Sequence, residues 1–135
     1  EVAISTPGIA ETGVVTSVNW EASDNTGFRS HHLYLSVDSG QTFVLIDSTS
    51  GESTSFSWNV PDSIVSNVCL LKIISYDLVN LTAADTSALF SIIDVIPPQV
   101  STLEPQSGFS ISEYDSLTVE WTATDNIGVD SVQVF

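Results

Sequence analysis

The chain has 135 residues, 42% of them hydrophobic, and no apolar run near the roughly 20 residues that span a bilayer, which excludes insertion into a membrane as a helix. That length suffices for one core of roughly 100 residues and part of a second. Seventeen acidic residues face only two basic ones, Arg29 and Lys72, for a net charge of -15, and this excludes nucleic acid as a partner, because binding phosphate needs cations that displace counterions.

Strand signals run the length of the chain, as short segments alternating apolar and polar residues between Gly, Asn, Asp, Ser and Pro. Helical periodicity is absent. The pattern predicts seven strands in the first part: Val2 to Ser5, Val14 to Glu21, Ser30 to Val37, Thr42 to Asp47, Ser55 to Val60, Asn67 to Tyr76 and Ser87 to Ile93. Val14, Val18 and Trp20 share one face of the second, Leu33, Leu35 and Val37 one face of the third, and Phe56, Trp58 and Val60 one face of the fifth. The sixth is apolar on both faces, with Cys69, Leu71, Ile73 and Ser75 on one side, as a central strand would be. Cys69, the single cysteine, can form no disulfide within the chain and reads as a small buried hydrophobe. Trp20, Trp58, Leu35, Leu71, Ile73 and Phe90 are the expected core.

An internal repeat sets the organisation. The stretch from Val18 to Gly27, with Trp20, Ala22, Asp24 and Asn25, returns from Val119 to Gly128 with Trp121, Ala123, Asp125 and Asn126, and Ser30 maps onto Ser131. One complete module over residues 1–96 and a partial second module over residues 97–135 follow, joined at Pro97-Pro98. Two prolines in a row hold the chain extended, so the joint is expected to be short and semi-rigid. The second copy stops after about three strands, which predicts either a fragment of a longer chain or a module completed by another chain. Glu1-Val2-Ala3-Ile4 has neither the basic stretch nor the apolar core of a signal peptide, as expected of a mature segment.

The series Trp20-x-Ala22-Ser23-Asp24-Asn25-x-Gly27, Leu33-Tyr34-Leu35-Ser36-x-Asp38-x-Gly40-x-Thr42-Phe43, Phe56-x-Trp58-x-Val60-Pro61 and Leu71-Lys72-Ile73-x-Ser75-x-Asp77 resembles bacterial immunoglobulin-like repeats. These are fibronectin type III-like modules found in tandem in secreted hydrolases and adhesins. The resemblance covers most of residues 1–96 and returns from Pro97 to Phe135. It implies an all-β, immunoglobulin-like sandwich of about seven strands followed by the first strands of a second copy. It also implies a non-catalytic spacer or adhesive repeat of a larger extracellular or cell-surface bacterial protein, whose partners are neighbouring modules. The alternatives are a module that binds carbohydrate or protein, with a surface glycan as ligand, and a subunit that assembles with another copy by strand addition.

Asp24-Asn25 and Asp125-Asn126 stand where a tryptophan strand meets a Gly-containing turn. Carboxylate and amide oxygens are hard ligands suited to calcium, and the same side chains also cap turns by bonding their own backbone. The absence of alternating-Asp spacing favours the turn. Asp77, in the loop from Asp77 to Asn80, is the expected convergent donor. Asp94, ahead of Pro97-Pro98, would be the first copy's contribution to a calcium site with Asp125, Asn126 or Glu104 of the next. No cofactor is required by the sequence.

Ser36-x-Asp38-x-Gly40-x-Thr42-Phe43 has the form of an Asp-box, and a single copy predicts a locked hairpin instead of a glycosidase blade. His31 and His32, adjacent on a strand, point to opposite faces and cannot share a metal, which puts one near the core edge and one in solvent. Tyr34 and Tyr76 fall opposite the core residues and could form a sugar platform. No nucleophile elbow, phosphate-binding loop, HExxH or CxxC pattern occurs. Asn80-Leu81-Thr82 has the form of a glycosylation sequon.

Overall fold

A computed structural model describes residues 1–135. It is all-β and divides into two compact units, Glu1–Val95 and Ile96–Phe135.

In the first unit, β1 (Val2–Ile4), β3 (Val15–Ala22) and β6 (Ser55–Asn59) form a three-stranded antiparallel sheet in the order β1-β3-β6. The second sheet has the order β2-β9-β7-β4-β5, from β2 (Ile9–Glu11), β4 (Phe28–Ser36), β5 (Val44–Ser50), β7 (Ser66–Asp77) and β9 (Phe90–Ile93), with β8 (Thr82–Thr86) also paired to β7. Nine strands stand where seven were expected. The two missed are β2, three residues long beside Pro7-Gly8, and β8, whose small residues Thr82-Ala83-Ala84-Asp85-Thr86 show no apolar alternation. The expected last strand, Ser87 to Ile93, begins only at Phe90: buried Ser87 accepts the N–H of Leu71 at its Oγ, and that Oγ donates to the carbonyl of Ala88, in the link between β8 and β9.

The sheets enclose a single core. Val2, Ile4, Val18, Trp20 and Trp58 point down from the small sheet, and Leu33, Leu35, Cys69, Leu71, Ile73, Phe90 and Ile92 meet them from the large one. All six expected core residues lie there. Each such side chain contributes roughly 1.5–3 kcal/mol by leaving water, and together they offset the entropy of ordering the chain. Val14 and Val37 are the exceptions among the expected inward positions: β3 starts only at Val15 and β4 ends at Ser36, and both valines stay exposed.

One side of this sandwich is stitched shut. Asp85 Oδ2 on β8 accepts the main-chain N–H of Ile4 on β1 at 2.9 Å, and Thr6 Oγ1 accepts that of Ala88 at 2.9 Å. Parallel pairing of β2 with β9 continues the closure, and Thr12 Oγ1 donates to Asp94 Oδ1 at 2.8 Å below it. The edge backbone of β1 thus has a carboxylate partner from the opposite sheet, which blocks it as a template for another strand.

The second unit is a two-stranded antiparallel pair, β10 (Gln99–Glu104) with β11 (Glu120–Thr124). The expected third strand is not formed, since residues from Asn126 onward have no strand pairing.

Candidate functional site

Two loops at one end of the first unit carry the acidic side chains singled out above. Asp24 Oδ2 accepts the main-chain N–H groups of Thr26 at 2.8 Å and Gly27 at 3.1 Å, and the Thr26 hydroxyl at 2.7 Å. Gly27 has φ +90, a left-handed conformation that an L side chain resists, so the turn needs glycine there. The Thr26 hydroxyl and amide, followed by the Gly27 amide, hold the Asp24 carboxyl below the usual carboxylate range. Asp77 is built the same way: its Oδ1 accepts the N–H groups of Val79 and Leu81, both at 2.8 Å, with Asn80 at φ +69 between them. Both aspartates therefore cap turns.

The fold also brings them together. Asp24, Asn25 and Asp77 line one small cleft of about 210 Å³ with Glu1, Phe28 and Ser75. No three His, Cys, Asp or Glu side chains converge there or elsewhere closely enough to hold a metal ion. Asp94 accepts the Thr12 hydroxyl inside the first unit. In the second unit, Asp125 and Asn126 line a cleft with Pro97, Gln99 and Thr124, and Asp125 Oδ2 accepts the N–H groups of Ile127 at 3.2 Å and Gly128 at 3.1 Å.

The expected hairpin lock is present in full. Ser36 Oγ donates to Asp38 Oδ1 at 2.7 Å and accepts the N–H of Gly40, while Asp38 accepts the Thr42 N–H at 2.9 Å and its hydroxyl at 2.6 Å. Thr42, and then Ser36, lower the Asp38 carboxyl to about 2. Phe43 follows, with the Lys72 ammonium 5.2 Å from its ring centre.

His31 is where sequence reading fell shortest. It lies fully inside the sandwich and not at its edge. Its Nδ1 is 2.7 Å from Ser75 Oγ and its Nε2 is 3.1 Å from the Gly51 carbonyl, between the rings of Trp20 and Phe28. A carbonyl only accepts, so Nε2 carries the proton and Nδ1 receives the hydroxyl hydrogen of Ser75. Burial pushes the imidazole below its ordinary range and keeps it neutral. A Ser and a His in this arrangement are sealed from solvent and serve packing. The signal that could have found it was Ser75, a polar residue on the inward face of β7, which needed a buried partner. His32 stacks against Tyr76 on the outer face at 4.8 Å, half-buried there instead of free in solvent, and Tyr34 is half-buried on that face as well.

The two units share more than sequence. Val2 pairs with Ala22 and Ile4 with Trp20 in the first, and Val100 pairs with Ala123 and Thr102 with Trp121 in the second. Strand pair, register and aspartate-capped turn all repeat. Residues 98–135 match the family model of the bacterial Ig domain. The second unit is thus similar to a bacterial Ig domain. A solved structure of the fibronectin(III)-like modules of Clostridium thermocellum CbhA is similar over 93% of this chain and 63% of its own length, at 17% sequence identity and a TM-score of 0.49. The chain thus spans under two thirds of that structure. No curated protein matches it.

Proposed function

We propose that this chain is a non-catalytic repeat of a larger extracellular or cell-surface bacterial protein, serving as a spacer or adhesive module beside neighbouring modules of the same protein. The observation that carries this reading is the recurrence of one strand pair, in one register, closed by one kind of aspartate turn, in both units. A repeated fold whose buried His–Ser pair is closed to solvent supports mechanical work better than chemistry. The acidic surface suits a protein working outside the cell, where net charge keeps a rod soluble. Antibodies against this chain should label intact, unpermeabilised cells of its source. Labelling that appears only after the cells are opened would end the proposal.

Calcium is the ion this reading would use, at the cleft of Asp24, Asn25 and Asp77, with Asp94, Asp125 and Asn126 as further donors. What favours the first of these places is that two separate loops bring their carboxylates to one cleft. Thermal unfolding in EDTA and then in millimolar Ca²⁺ or Mg²⁺, at fixed ionic strength, decides it. A midpoint several degrees higher with Ca²⁺ alone supports a calcium-stiffened rod. Superimposable curves would leave these aspartates as turn formers only.

A further inference from the structure

The side of the sandwich opposite the Asp85 closure is open. There, between β5 of the large sheet and β6 of the small one, runs an apolar groove of about 600 Å³ with Leu35 and Ile64 in its lining. Its walls are unusual in one respect: four successive residues of β5, Val44 to Asp47, and four of β6, Phe56 to Asn59, line it. Successive residues of a strand point to opposite faces, so a cavity touching all of them meets the strand's edge, where main-chain donors and acceptors lie.

For β6 the edge can be read residue by residue. Trp20 N–H donates to the Thr54 carbonyl and Val60 N–H to the Val14 carbonyl, and the register between them is unbroken from Val15↔Asn59 to Asn19↔Ser55. In an antiparallel ladder main-chain groups alternate in direction, so Phe56 and Trp58 turn theirs to β3 while Ser55, Ser57 and Asn59 turn theirs outward. β6 pairs with β3 alone. The β5 edge is broken by a bulge at Ile46, between the pairs Leu33↔Asp47 and Tyr34↔Leu45. β6 is the regular template, on a small sheet that stops at three strands where constant-type immunoglobulin domains carry a fourth.

We infer that the groove beside β6 receives an extended segment of another protein, which adds as a fourth strand to β1-β3-β6 through the outward main-chain groups of Ser55, Ser57 and Asn59. Alternate apolar side chains of that segment fill the groove over Leu35, Val44 and Ile64. Val44 and Leu45 are largely exposed without it, as apolar residues at a partner site are. Charge chooses the partner. A second copy brings another net charge of -15, whereas a segment flanked by Lys or Arg meets an acidic protein with Asp47 in the groove itself.

The test uses the full chain and a fluorescein-labelled nine-residue peptide that alternates valine and threonine between terminal lysines. Its anisotropy should rise to saturation, and hydrogen exchange should slow at the amides of Ser55, Ser57 and Asn59 while Phe56 and Trp58, already bonded to β3, change little. Ser57→Pro removes an outward donor and no β3–β6 bond, and should weaken binding about tenfold or more. Val44→Asn changes only an exposed groove wall, so a folded protein with weaker binding is expected even if the proline variant unfolds. Four results overturn the proposal: no saturable binding; equally tight binding of a peptide with its valines grouped instead of alternating; exchange at the three amides unchanged by the peptide; or a dimer with those amides protected in the absence of peptide, which makes a second copy the occupant.

Discussion

Trp20 and Trp121 occupy the same place in the same strand pair, yet Trp20 is 3% exposed and Trp121 42%. Val18 and Val119 differ likewise, at 1% and 38%. Local sequence is therefore enough to set the pairing, register and turn of the first two strands. It does not make a core, which needs the facing residues Leu33, Leu71, Ile73 and Phe90 that only the first unit contains. Register is a property of the strand pair, and burial is a property of the sandwich.

The sharpest way to break this comparison is to cut the same side chain in both places. Trp20→Ala should cost about 3–5 kcal/mol in denaturant unfolding, from lost burial and the cavity left behind. Trp121→Ala should cost under about 1 kcal/mol. Equal losses would mean that Trp121 is covered in solution. Trp20→Phe should be far milder than the alanine change, because the buried Trp20 indole N–H has no acceptor and its removal relieves an unsatisfied donor.

Gly51 tests how tightly the first unit closes around His31. A Cβ on Gly51 would stand 1.9 Å from the Phe28 carbonyl oxygen, a backbone atom that cannot step aside, while the Gly51 carbonyl holds the imidazole. Gly51→Ala should destabilise by about 3 kcal/mol through overpacking, measured by the urea midpoint. A midpoint within error of the parent would show that the loop from Ser50 to Thr54 moves freely over β4.

His31 sharpens the comparison in a different way, since its place in the second copy is taken by Val132. Burial sets its folded pKa below the unfolded value of about 6.5, so the unfolded chain takes up the extra proton first as pH falls. The stabilisation is complete above that value and is lost progressively below it, down to the folded pKa. His31→Val should lower stability at pH 8, leaving Ser75 and the Gly51 carbonyl unpaired, and should flatten the slope between pH 7 and pH 5. A slope that survives the substitution would assign the titration to another group.

What the sequence made legible, and what it hid, divide along the same physical line. Strands with period-two apolar residues, such as Val18-x-Trp20 and Leu71-x-Ile73, declare both existence and facing, and so does the hairpin locked by Asp38, because its interactions span only seven residues. β2 and β8 were hidden because their stability comes from partners far along the chain, Ile9–Glu11 from β9 and Thr82–Thr86 from β7. The Asp85 bond to Ile4 spans 81 residues and has no local trace. Of the candidate metal residues, the turn geometry of Asp24 and Asp125 followed from Asx-Gly chemistry, whereas the meeting of Asp24 and Asp77 in one cleft depends on how two loops are placed by the sheets.

The smallest expected effect concerns the turn that both copies share. Thr26, whose hydroxyl is the largest cause of the low Asp24 pKa, is replaced by Ile127 in the second copy, so Asp125 keeps the two amide bonds and has no hydroxyl. Thr26→Ile transplants that difference into the first unit. The Asp24 carboxyl, followed by NMR through its side-chain carbon shift, should then titrate closer to its ordinary value of 3.8. Because the folded pKa is depressed, its contribution to stability is present above the unfolded value and is lost as pH falls through the folded one, so the variant should lose less stability on acidification. Asp24 is exposed to solvent, and the change in unfolding midpoint should be correspondingly slight. An Asp24 titration unmoved by Thr26→Ile would mean that the two amides alone set it, and that the turns of the two units are electrostatically equivalent.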